Sequence, residues 1–139
     1  MPETVKKTTV GNYKRGTKVN LEKSLRMSDL LDGHLVQGHV DTIGKIIEIR
    51  NVEQSVVMKI QIPNAFMKFL APKGSVSVDG ISLTIIEAKK DWFTISLVSY
   101  TLENTNLGKI KTGEKVNIET DAIAKYIFNI LKYTSYAKR

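Results

Sequence analysis

Two short stretches hold the side chains that can do chemistry. The first, "KGSVSVDGISLTI" (Lys73 to Ile85), places Ser82 and Thr84 on the face opposite Ile81, Leu83 and Ile85. Alternation at period two marks a strand with one buried side. It changes phase at Asp79-Gly80, a dipeptide that turns the chain tightly between strands. A row of hydroxyls outside the core can line a polar groove, although a lone pair is also ordinary solvated strand surface. The second stretch, "GHLVQGHVD" (Gly33 to Asp41), contains both histidines of the chain. His34, His39 and Asp41 suggest metal ligation, but no further strong ligand stands at helical or hairpin spacing. Histidines beside glycine equally suit a structural place in a turn. No Ser-His-Asp triad follows, because nothing fixes a third partner. A phosphate-cradling glycine loop and a dinucleotide fingerprint are both missing.

The elements that must position these residues read as strands. Leu35 to Arg50 alternates loosely, with Gly38 and Gly44 expected at bends or bulges. After a turn near Asn51–Gln54, "SVVMKIQI" predicts a strand ending at Pro63. "PNAFMKFLAPKG" predicts one short helix, stopped by Pro72 and Gly74. The hairpin at Asp79-Gly80 follows, then a turn at Lys89–Asp91, "WFTISLV", and finally "EKVNIE". About six short strands and one short helix point to an all-β, closed antiparallel barrel. Thr120 or Asp121 then caps a helix whose Ile123, Tyr126, Ile127, Ile130 and Leu131 form an apolar stripe. Such a stripe must dock on the barrel or on another subunit.

Composition narrows the classes. With 139 residues the chain is one ordinary domain, long enough to bury a core. No apolar run approaches the roughly 18 residues of a membrane span, and "MPETVKKTTV" lacks the apolar centre of a signal peptide. A cytoplasmic protein with no membrane partner is expected. The absence of cysteine excludes disulfides, thiolate metal sites and cysteine nucleophiles. The net charge of +7 invites a nucleic-acid reading. Its lysines and arginines are scattered and not interleaved with aromatic residues, which argues for solubility or attraction of an anionic ligand.

An internal repeat sets the organisation. "TVKKTTVGNYKRGTKVNLE" (Thr4 to Glu22) returns as "TLENTNLGKIKTGEKVNIE" (Thr101 to Glu119) at a constant offset of 97 residues. Gly11/Gly108, Gly16/Gly113, Asn20/Asn117 and Glu22/Glu119 are identical pairs. The pattern signals duplication: the end of one module, then one complete module.

Four ordered motifs, "GHLVQGHVDTIGKI", "KGSVSVDGISLTI", "TLENTNLG" and "GEKVNIETDAIAKY", make the chain resemble the second lumazine-binding module of the riboflavin synthase family. The resemblance spans essentially the whole chain. It implies a remnant of a first barrel at 1–22, a complete six-stranded Greek-key barrel at 23–119, and a C-terminal oligomerisation helix at 120–139. It implies a cofactor-free and metal-free transferase of riboflavin biosynthesis, in which two 6,7-dimethyl-8-ribityllumazine molecules exchange a four-carbon unit to give riboflavin and a pyrimidinedione. A non-catalytic lumazine- or flavin-binding protein is the alternative. The resemblance further implies a homotrimer gathered by the C-terminal helix, with ligands stacked between barrels. Ser82 and His39 become the candidate catalytic residues, His39 as a proton shuttle near neutral pH. Gly38, Val40, Lys73, Asp79, Thr84, Val98, Ser99 and Thr101 become the substrate-binding set, together with Thr4, the repeat partner of Thr101.

Overall fold

The computed structural model describes residues 1–136, with side chains through Thr134; the last three residues of the expected 120–139 segment lie outside the described residues. Six strands form a closed antiparallel barrel: β1 (Thr42–Val52), β2 (Ser55–Gln61), β3 (Ser75–Val78), β4 (Ile81–Lys89), β5 (Trp92–Val98) and β6 (Lys115–Thr120). Their order around the barrel is β1-β2-β5-β4-β3-β6. The consecutive strands β2 and β3 are not neighbours, so the connection is of the Greek-key kind. The inward rows, among them Ile46, Met58, Ile60, Val76, Val78, Ile85, Phe93, Ile95, Leu97, Val116 and Ile118, are buried as one core.

The phase change at Asp79-Gly80 has a simple cause. Val78 pairs with Ile81 and Val76 with Leu83 across a two-residue loop. Asp79 and Gly80 both take positive φ, 48° and 85°, which matches the twist of the flanking strands. The turns predicted at Asn51–Gln54 and Lys89–Asp91 are present but tighter, at Glu53-Gln54 and Lys90-Asp91, because β1 runs on to Val52 and β4 to Lys89.

Two expectations need correction, and a third is resolved between its alternatives. Leu35 to Asp41 is not strand: β1 begins at Thr42, and the preceding residues form an irregular strap. Gly44 marks no bulge in β1, where the register shifts between Ile46 and Glu48. Gly44 lies buried where a Cβ would come within 2.8 Å of Ile60 and 3.0 Å of Ile118, so a larger residue cannot close the barrel there. Thr120 ends β6 and is buried; Asp121 caps the next helix, its Oδ1 accepting the Ile123 amide at 2.9 Å.

Short helices complete the fold: α1 (Pro2–Lys7), α2 (Asn64–Met67), α3 (Ser99–Asn104) and α4 (Ala122–Tyr136). The repeat is structural as well as sequential. α1 with the 3₁₀ turn Thr9–Asn12 and α3 with the 3₁₀ turn Asn106–Lys109 have the same bounds at the same offset. The two copies also grip each other reciprocally. Asn117 Oδ1 accepts the Thr9 amide at 2.7 Å, and Asn20 Oδ1 accepts the Asn106 amide at 2.9 Å. Asp79 stands at the centre. Its carboxylate accepts from Asn117 N at 2.7 Å, Asn117 Nδ2 at 3.0 Å and Asn106 Nδ2 at 2.8 Å, and its carbonyl accepts from Asn20 Nδ2 at 2.9 Å.

The Asp79→Ala variant is expected to lose about 2–3 kcal/mol, because half-buried donors on both copies lose an ionised acceptor. Denaturant unfolding measures it, and a change below about 0.5 kcal/mol would show that the network carries no weight.

Candidate functional site

β4 and β5 pair only over part of their length. Their ladder runs from Lys89↔Trp92 to Ile85↔Ile95, with a bulge between Ile85 and Glu87. Beyond it, Ile81–Thr84 pairs with β3 alone and Ser96–Val98 pairs with β2 alone. The barrel wall therefore splits at this end. Ser82 and Thr84 stand on one lip, and Ser96, Val98 and Ser99 on the other. Backbone groups turned toward such a split are free to bind a flat polar molecule, since backbone donors and acceptors need partners.

The strap Gly33–Asp41 crosses the outer face of β4, β3 and β6 and is tied down in sequence. Ser82 Oγ lies 2.7 Å from His34 Nδ1 and accepts the His34 amide at 3.2 Å. Gly33, with φ of 89°, passes so close that a Cβ there would stand 2.6 Å from Ser82 Oγ. Glu119 on β6, only 5% exposed, uses both carboxylate oxygens on consecutive strap amides: Gln37 N at 2.8 Å and Gly38 N at 2.9 Å. Asp41 Oδ2 then accepts from Thr120 N at 2.7 Å, Thr120 Oγ1 at 2.8 Å and Lys125 Nζ at 2.7 Å. Ser77 lies directly opposite both Ser82 and Glu119, so the three share the face that the strap covers.

The structure thus brings some expected residues together and separates others. Ser82 and Gly38 belong to the strap's anchoring row, and half-buried Val40 and exposed His39 follow it. Ser82 is joined to His34 rather than to His39, whose preceding turn is anchored two strands away on β6. Exposed Thr84 shares the β4 lip with Ser82. Val98 and Ser99 line an open cavity of about 460 Å³ with Tyr100 and the β1–β2 turn. Thr101 and Thr4 sit in α3 and α1, each carbonyl accepting from the threonine hydroxyl four residues on, at 2.6 Å. Lys73 is exposed, with φ of 65°, at the entrance to β3. Asp79 is committed to the joint between the repeats. Among the described residues no cluster of three or more His, Asp or Glu side chains can hold a metal ion.

Sequence reasoning missed two residues here. His34 was legible as a histidine beside glycine, but its pairing with Ser82 spans 48 residues. Glu119 carried one signal, its identity with Glu22 in the repeat. The one carboxyl held clearly below its usual range lies elsewhere: a hydrogen bond from Lys59 lowers Glu48 on the β1–β2 exterior, desolvation opposes it, and the charges of Lys59 and Arg50 assist.

This geometry has known counterparts. Residues 37–121 match the model of the lumazine binding domain. The chain is 38% identical over 135 residues to riboflavin synthase of Mycobacterium tuberculosis, covering 95% of this chain and 67% of that one. It is 40% identical to riboflavin synthase of Photobacterium leiognathi (96% and 62%) and to that of Bacillus subtilis (94% and 61%). The chain belongs to the riboflavin synthase family. It spans about two thirds or less of the length of these family members. Solved structures of LumP align well: the complex with 6,7-dimethyl-8-(1'-D-ribityl) lumazine at TM-score 0.75 and 28% identity, covering 86% of this chain and 64% of that one. The riboflavin complex gives 0.78 at 26% identity, with 85% and 64% covered. No described helix is long and apolar enough to cross a membrane.

Two substitutions test the strap. In Glu119→Gln one of the two amide acceptors is replaced by a donor, so hydrogen exchange at Gln37 and Gly38 is expected to accelerate while the core strands stay protected. Ser82→Ala is expected to leave the barrel folded at a cost of about 1 kcal/mol and to weaken lumazine binding by a similar amount. Unchanged exchange in the first variant would mean that Glu119 does not hold the strap. Unchanged affinity in the second would make Ser82 plain strand surface.

Proposed function

We propose that this chain is a riboflavin synthase module that binds 6,7-dimethyl-8-ribityllumazine at the split between β4 and β5. The observation that carries the reading is the split itself, lined by hydroxyls, bordered on its β4 side by the strap, and lying inside the segment 37–121 that matches the lumazine binding domain. Thr84, Val98, Ser99 and Thr101 line the ring pocket, Gly38 and Val40 approach from the strap, and Lys73 supplies charge at its edge. Ser82 and His39 serve hydrogen bonding and proton movement. Asp79 and Thr4 contribute indirectly, by fixing the hairpin and the first repeat copy.

The reaction suits such a site. A ring methyl of one lumazine loses a proton and its negative charge spreads over the ring, while a second lumazine accepts a nucleophile. A four-carbon unit then passes between them, giving riboflavin and a pyrimidinedione. Holding two rings in contact replaces a bimolecular encounter, and fixed donors stabilise the developing anion. One barrel offers one such split, so turnover needs a second barrel facing the first. A two-fold contact between two copies supplies it.

Oligomerisation runs through α4. The helix docks on its own barrel by Phe128, whose ring meets Phe69 edge-on at 5.5 Å, and by the Lys125–Asp41 ion pair. Ile123, Tyr126, Ile127, Ile130 and Leu131 remain largely exposed. An apolar stripe of this size on a soluble barrel fits a subunit contact, a trimer if the family pattern holds.

Calorimetry is expected to give one lumazine per chain, with riboflavin fluorescence from the chain alone appearing slowly, and faster as concentration brings two copies together. Rapid turnover would show that two copies of this barrel reproduce the reacting geometry, and bound but unchanged lumazine at any protein concentration would favour a pure binder. Removing residues 122–139 is expected to lower the sedimentation mass. A monomer both before and after the deletion excludes the helix as the contact.

A further inference from the structure

Ser82 and His34 form a hydrogen-bonded pair whose proton positions can be worked out from its partners. The His34 amide can only donate, so it occupies a lone pair of Ser82 Oγ. The arrangement that leaves no hydroxyl proton idle sends that proton to His34 Nδ1, 2.7 Å away. A neutral imidazole accepting at Nδ1 carries its own proton on Nε2. His34 Nε2 is sealed from solvent and has no hydrogen-bond partner. Ser77, 1% exposed and directly opposite Ser82, has an equally unpartnered hydroxyl. Two orphaned buried polar atoms therefore flank Ser82, one on the strap that meets the β4 lip and one on β3, on the other side of β4 from the split. Buried polar groups without partners are rare because each is destabilising, and a bound polar guest relieves them.

We propose that His34, oriented by Ser82, is a ligand-facing residue of this site. Its Nε2–H donates to a carbonyl or ring-nitrogen acceptor of a neutral fused heterocycle, the chemistry of a lumazine or flavin ring. The proposal rests on the lumazine reading above and deepens it. Ser82 becomes a positioning residue that acts through His34, and Gly33 becomes the residue that lets the strap come close enough. Because Nε2 is sealed in the free protein, this contact requires the strap to lift at Gly33 and His34 as the ring enters.

Two variants separate a ligand donor from a mere partner of Ser82. In His34→Gln the amide nitrogen reaches the Nε2 position; in His34→Asn it reaches only the Nδ1 position. If Nε2 binds the ring, His34→Gln keeps lumazine affinity within about threefold, whereas His34→Asn loses about tenfold or more, the worth of one hydrogen bond to a buried acceptor. The companion measurement is a long-range nitrogen–proton spectrum of histidine-labelled protein, with the two rings assigned through His39→Gln. The expected result is an Nε2–H tautomer for His34 in the free protein and a shift of Nε2 on saturation with lumazine. Equal affinity in both variants, or a saturated protein with His34 resonances unmoved, overturns the proposal and leaves the site reading standing. A protein in which lumazine moves no resonance at all overturns both, and is distinct from the former result because no binding is seen.

Discussion

Everything outside the barrel hangs on one short strand. β6 closes the wall by pairing with β1 on one side and β3 on the other, and it buries Val116 and Ile118 completely. Asn117 and Glu119 point the other way, and together with buried Thr120 at the strand's end each holds a different element. Asn117 caps the first 3₁₀ turn of the N-terminal repeat, Glu119 clamps the strap, and Thr120 takes Asp41, which in turn holds α4 through Lys125. Closing the barrel therefore also fixes the far end of the strap, which runs from β6 to the β4 lip of the split, and the helix beside it. The positions of Ser82 and His34 follow from a strand in which neither lies.

The repeat shows how little of this is local. "KVNLE" in the first copy and "KVNIE" in β6 differ by one aliphatic residue. Only the second is a strand. Val19 and Leu21, the counterparts of fully buried Val116 and Ile118, are 46% and 91% exposed, because no neighbouring strand or core is there to receive them. Strand propensity describes a fit to a half-buried surface, and without that surface the same residues stay irregular. The helix-and-turn part of the repeat behaves differently. A helix forms in each copy, α1 and α3, because each ends on a threonine whose hydroxyl donates to the carbonyl four residues back and accepts an amide of the following 3₁₀ turn, contacts that span only a few residues.

The same division explains what the sequence made legible. The six strands, the Asp79-Gly80 hairpin and the capping of α4 by Asp121 were readable, since period-two alternation and turn chemistry act over short range. The strap was not. "LVQGHVD" alternates enough to imitate a strand, but its Gln37 and Gly38 amides are satisfied by the Glu119 side chain instead of a neighbouring backbone. α3 was hidden inside a stretch read as continuing pocket wall. Of the candidate site, Ser82 and Thr84 were visible as hydroxyls on the outer face. The His34 partner, the Glu119 clamp and the central place of Asp79 in the joint depend on contacts across tens of residues, which no local pattern reports.

The proposed place of the lumazine ring is where β4 parts from β5, beside the strap. A second open cavity, of about 490 Å³, lies across the barrel between β1 and the start of α2, lined by Ile43, Gly44, Lys45, Gln61 and Asn64 among others. A map of backbone amide shifts on adding 6,7-dimethyl-8-ribityllumazine distinguishes the two most directly. The largest changes are predicted at Ser82–Ile85, Ser96–Ser99 and Gly33–Gly38. Changes concentrated at Ile43–Lys45 and Gln61–Asn64, with the split and the strap unmoved, would contradict the account.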